Sequence, residues 1–383
     1  MSEQQRSRFW RSLGASRVET DELVGYARNR FDFSRLPASY PVPDEPFVSA
    51  WRRYRALADR RGVLACLREV LVQLRFPISS GMSERERYRA ATRRGLLPDA
   101  FEPELQLVHP HGLQLFLQPT PAGHVPVLVA EAREDFVALV QALSYRNEPT
   151  VVPAAVGACM VAGYNNWERV AELRRSWEEA TPAELRSPEQ WQLRFREIAS
   201  VPALYQDRFI LLSSGPYSGV AAADVGLSDD DWRRRSAIIR LEHECTHYFT
   251  RQLLGSMRNA LFDELLADYM GLVASEGRYR ADWFLRFMGL EDLSHHRSGS
   301  RMESYRGDPP LSDGAFAVLQ SAARRAAHNL QRCDERRWRR CRCPEHPTAE
   351  KAAALIALAR LGLEGLASSA APELFETALS DSG

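Results

Sequence analysis

Apolar residues along the chain change their period from one region to the next. From Trp51 to Leu74 they recur at helical spacing among arginines. LQLFLQ (Leu113 to Gln118) and VPVLVA (Val125 to Ala130) read instead as strands. Pro119, Pro121 and Gly123 lie between the two, which predicts a hairpin. A helix is expected over Arg133 to Leu143, and a short buried strand over Arg208 to Ser214 followed by the loop GPYSGV. Beyond Ser228 the helical pattern is sustained. Ser228 is placed to cap a helix whose first turn, Asp229 to Asp231, suits the positive end of the dipole, and Gly255 is placed to end it. Ile238, Leu241, Cys245, Phe249 and Leu253 form its expected buried stripe. Further helices are predicted over Leu261 to Ala274, Gly314 to Leu330 and Thr348 to Leu366. The middle region from Val151 to Pro202 reads as loops alternating with helical segments.

Composition narrows the class. The chain has 383 residues, 45% hydrophobic and 26% charged, enough for a sizeable core. Fifty basic residues balance fifty acidic ones, so no global charge favours nucleic acid or an anionic membrane. No run reaches the roughly 20 apolar residues that span a bilayer, and the first residues lack the apolar core of a secretion signal. The expectation is a cytoplasmic protein, and the six scattered or clustered cysteines do not form a disulfide framework.

Chemistry concentrates in the capped helix. LEHECTHYFT contains His243-Glu244-Cys245-Thr246-His247, the pattern H-E-x-x-H. Residues i and i+4 share a helix face, so two imidazoles at that spacing can close on one metal ion while Glu244 is displaced around the helix towards an open coordination position. A catalytic zinc takes a third protein ligand and keeps one position open. The next helix carries DELLAD, with Glu264 seventeen residues after His247 and Asp268 one turn further on. Glu264 is the expected third ligand. Asp268 is the expected acceptor for the ring N–H of a ligating histidine.

H-E-x-x-H followed by E-x-x-A-D resembles the gluzincin zinc peptidases, in the form found in the membrane-associated CAAX-processing and heat-shock group. HPTAEKAAAL (His346 to Leu355) is similar to that group's His-Pro motif. The group has an arginine six residues after that histidine; this chain has Ala352, with Lys351 beside it. The resemblance implies an α+β, predominantly helical zincin-like fold with a small sheet; residues 1–150 are expected to form an N-terminal accessory region (helical with a β-hairpin) and 151–383 the catalytic region. It implies Zn2+ held by His243, His247 and Glu264. Glu244 would be general base and acid in hydrolysis of a peptide bond, with His346 as a second catalytic group. Tyr248, His328 and Tyr305 are further candidates for stabilising the oxyanion. The implied partner is a peptide or protein substrate; charge balance and apolar-run length predict no nucleic acid and no transmembrane segment, the latter a departure from that membrane-associated group. A zinc-loaded scaffold that binds peptides with little turnover, and a hydrolase of non-peptide amides, stay open as alternatives.

Some features stand outside that scheme. Cys333, Cys341, Cys343 and His346 have an uncommon spacing for a second zinc site. GYNNW (Gly163 to Trp167) reads as a helix-entry turn and VHPHG as a structural loop. The strand Arg208 to Ser214 is a candidate sheet edge on which an extended substrate could add.

Overall fold

The computed structural model describes residues 1–98, 104–255, 261–292, 296–340 and 348–381, with side chains described up to residue 337 of the 296–340 stretch. The fold is mixed α+β, mostly helical, with one four-stranded sheet. It divides into two compact units: one formed by residues 1–42, 120–122 and 216–383, the other by 43–119 and 123–215. Residues 1–42 fall in the same compact unit as residues 216–383.

The chain starts in the first unit with α1 (Glu3–Ser12) and α2 (Arg17–Tyr26). Both open on capping boxes, in which a serine and a residue three positions later satisfy each other's backbone N–H. The second unit then holds α3 (Phe47–Arg61), α4 (Val63–Val70), α5 (Glu86–Arg94), β1 (Gln114–Thr120), β2 (Gly123–Ala130), α6 (Arg133–Leu143), β3 (Ala158–Asn165), α7 (Trp167–Ala180), α8 (Pro188–Ala199) and β4 (Gln206–Ser213). The chain returns to the first unit for α9 (Asp229–Leu253), α10 (Leu261–Glu276), α11 (Ala281–Met288), α12 (Asp313–Arg340), α13 (Thr348–Ala367) and α14 (Ala371–Ser380).

The sheet order is β1-β2-β4-β3. β4 runs parallel to β2, with Val127 opposite Ile210, and antiparallel to β3, with Met160 opposite Ile210. It is therefore an interior strand. The expectation that Arg208 to Ser214 forms an edge open to a substrate is corrected: both of its hydrogen-bonding sides are taken. β3 replaces part of the expected loop-and-helix region, and its register shifts at Gly163, whose φ of +75° suits glycine. Trp51, Phe136, Phe209 and Leu211 fill the core against the sheet. Asp207 is buried there and accepts from Trp51 Nε1 (2.8 Å), Asn166 Nδ2 (2.6 Å) and Arg169 Nη1 (2.5 Å). Asn166 also caps α7, as expected for GYNNW.

In the first unit, Glu364 of α13 is buried and accepts from Arg6 Nε at 2.7 Å and Trp10 Nε1 at 3.3 Å, which ties α1 to the C-terminal helices. The basic stretch from Cys333 continues α12 to Arg340 instead of forming a separate segment. Among the described residues, no helix is long and apolar enough to cross a membrane.

Candidate metal centre

α9 begins as its sequence predicts, with Ser228 Oγ accepting from Asp231 N at 3.2 Å, and Gly255 follows its end at φ +68°. The expected stripe needs correction. Ile238 is 42% exposed while Ile239 is fully buried. From His243 to Thr250 every residue is buried, so this part of α9 has no solvent face. α10 is equally buried from Asp263 to Val273.

α9 and α10 run antiparallel, because contacts pair rising numbers on one with falling numbers on the other. At Gly271, a Cβ would lie 2.7 Å from the backbone oxygen of Ile239. Glycine thus allows the two backbones to approach, and the ligands follow within two turns. His243 meets Asp268, and His247 meets Glu264 and Asp263.

One donor atom each from His243, His247 and Glu264 lies within 4.8 Å of the others. The Nε2 atoms of the two imidazoles are 3.0 Å apart, with Glu264 Oε2 3.4 Å from the first and Oε1 3.6 Å from the second. On the far side of the first ring, His243 Nδ1 is 2.8 Å from Asp268 Oδ1 and 2.9 Å from the Tyr217 hydroxyl, which itself donates to Asp268 at 2.5 Å. This arrangement assigns the ring proton to Nδ1 and leaves the Nε2 lone pair facing inward. His247 differs: Asp263 Oδ2 stands 3.5 Å from its Nδ1, close enough for attraction but outside hydrogen-bond geometry. That Nδ1 and both Asp263 oxygens are buried without a hydrogen-bond partner.

Converging lone pairs and carboxylates need a positive charge between them. Burial disfavours it, yet Glu264, Asp263 and Glu244 outweigh burial and lift His247 to about 10. Burial likewise opposes the charged form of Asp268, but Arg301 and His243 prevail and hold it down to about 2. Two imidazoles and a carboxylate, two of them backed by further acids, form a donor set that fits zinc.

Arg301 was not singled out by the sequence. Its half-buried guanidinium packs against the site, donating to Glu264 Oε2, to Asp268 Oδ2 at 3.0 Å, to Ser218 Oγ at 3.3 Å and, through Nε, to the Tyr305 hydroxyl at 3.1 Å. It sits on a short 3-10 turn, Arg301–Tyr305, within a Gly/Ser/Arg-rich stretch that has no periodicity to mark it. Tyr217, Ser218 and Asp263 were missed as site residues for the same lack of a spacing signal, although the GPYSGV loop itself was noted.

The other candidates are distributed as follows. Glu244 is buried within the site region, and its charge acts on His247. Tyr248 is fully buried in the core. His328 is exposed and lines a separate cavity with Tyr279 and Asp334. Tyr305 accepts from Arg301 Nε at 3.1 Å. His346, Cys341 and Cys343 lie outside the described residues, and Cys333 is a buried thiol raised to about 12 by burial. Ala352 is buried, and Lys351 pairs with Glu242 at 3.2 Å.

A cavity of about 880 Å3 opens in the same unit. Phe262 and Asp263 form part of its wall, with Tyr26, Phe31 and Pro309.

The chain belongs to a protein family: residues 8–370 match the model described as "Family of unknown function (DUF7005)". No curated protein and no solved structure matches it.

Proposed function

We propose that this protein is a zinc-dependent peptidase of the gluzincin type with a zincin-like catalytic region. The convergence of His243, His247 and Glu264 from two antiparallel buried helices carries this reading. These three residues would hold the metal. When bound, zinc supplies a Lewis acid that acidifies water and polarises a carbonyl. Glu244, beside the histidines and outside the ligand set, takes the proton from the attacking water and returns it to the leaving amine. Asp268 and Tyr217 keep the His243 proton on Nδ1 and its lone pair turned inward. Asp263 orients His247 from the other side. Burial of the whole cluster excludes bulk water and strengthens each of these interactions. The neighbouring cavity is within the usual size for ligand sites, about 300–1,000 Å3, and its wall includes the residue preceding Glu264.

The test joins metal analysis to cleavage of a broad peptide library by the full chain. One zinc per chain and cleavage lost in Glu244→Gln with zinc retained are expected. Zinc content unchanged in His243→Ala would refute the site.

A second reading has its own support. Arginine is absent at position 352, and Lys351 is engaged with Glu242. A zinc-loaded scaffold that binds peptides with little turnover accounts for that absence. Stoichiometric zinc and peptide binding without cleavage would select it.

A further inference from the structure

We infer that Arg301 is a positioning residue that restricts Glu264 to one-oxygen ligation of the metal; this rests on the metal-centre reading above. The guanidinium presents one terminal nitrogen to each of two carboxylates. Nη2 donates to Glu264 Oε2, and Nη1 donates to Asp268 Oδ2 at 3.0 Å. Tyr305 Oη holds Nε at 3.1 Å, and Ser218 Oγ lies 3.3 Å from Nη1, so the planar fork is fixed on three sides. A rigid fork of this kind matches two acceptors in a way that a lysine point charge does not.

The consequence is an asymmetry between the Glu264 oxygens. Oε2 accepts from Arg301 Nη2 and stands 3.4 Å from His243 Nε2, while Oε1 stands 3.6 Å from His247 Nε2. Oε1 is the oxygen left for a cation, and a one-oxygen carboxylate conserves an open coordination position. Arg301 also ties the ligand to Asp268, the α10 carboxylate that orients His243, so one side chain holds both carboxylates of that helix. No arginine is needed from the C-terminal helix for this purpose, where Ala352 stands buried.

Cobalt(II) is the probe, because its visible absorption weakens as coordination number rises. The full chain is compared with Arg301→Met and Arg301→Lys, with folding checked by circular dichroism. Arg301→Met should bind one cobalt per chain with a loss of visible absorption intensity, as the second Glu264 oxygen enters the coordination sphere. Arg301→Lys should shift the same way by a smaller amount. If Arg301→Met does not fold, because two buried carboxylates lose their partner, the Arg301→Lys spectrum decides. Spectra of the folded variants that match the unsubstituted protein would overturn the inference. Failure of the unsubstituted protein to bind cobalt would instead defeat the metal centre itself, and this inference with it.

Discussion

Asp268 and Asp263 differ by five positions in one helix and serve different histidines. Asp268 makes a hydrogen bond at 2.8 Å to His243, whereas Asp263 stands 3.5 Å from His247. Residues that orient metal ligands typically change affinity by about 10–100-fold when replaced. Asp268→Asn is expected at the upper end of that range, since Arg301 and Tyr217 lose a shared acceptor as well. Asp263→Asn is expected near about tenfold. Competition titrations with a chelating zinc indicator measure both, and equal affinities for the two variants would contradict the ranking.

The crossing of α9 and α10 sets the ligand distances, and Gly271 limits that crossing. Gly271→Ala places a methyl group against the Ile239 backbone oxygen, 2.7 Å away, where no side-chain rotation gives relief. Overpacking of this kind costs about 1–3 kcal/mol. A lower melting temperature together with weaker zinc binding is expected; zinc affinity unchanged in a destabilised variant would show that the helices re-space without moving the ligands. In the other unit, Asp207 is buried with Arg169 as its charged partner at 2.5 Å. Arg169→Met strands that carboxylate and should cost about 3–5 kcal/mol, read by urea denaturation.

For the molecule as a whole, the proposed metal centre would link metal binding to folding. A ligand bound by the native state alone stabilises it by about 2.7 kcal/mol at a hundredfold excess over its dissociation constant. Chelator treatment should therefore lower the melting temperature, and added zinc should restore it. An identical melting curve with and without chelator would argue against a tightly held ion. The N-terminal helices take part in this unit: Tyr26 of α2 donates to the Tyr305 backbone oxygen at 2.7 Å, at the turn that carries Arg301. Tyr26→Phe should weaken zinc binding less than either aspartate substitution.

Spacing in the sequence determined the features that depend on local chain geometry. The i, i+4 histidines, the serine cap and the carboxylates one turn apart on α10 follow from helical period alone, and so do the bounds of α6, α9 and α13. Burial was less legible, because a helix enclosed on all sides shows no amphipathic stripe, and Ile238 and Ile239 exchange their expected places. β3 and the interior position of β4 depended on pairing between distant segments. Arg301, 37 residues from Glu264 on an aperiodic turn, is joined to the site only by folding. Local periodicity carries no record of which distant charges will meet, and tertiary structure alone decided that a guanidinium would stand between Glu264 and Asp268.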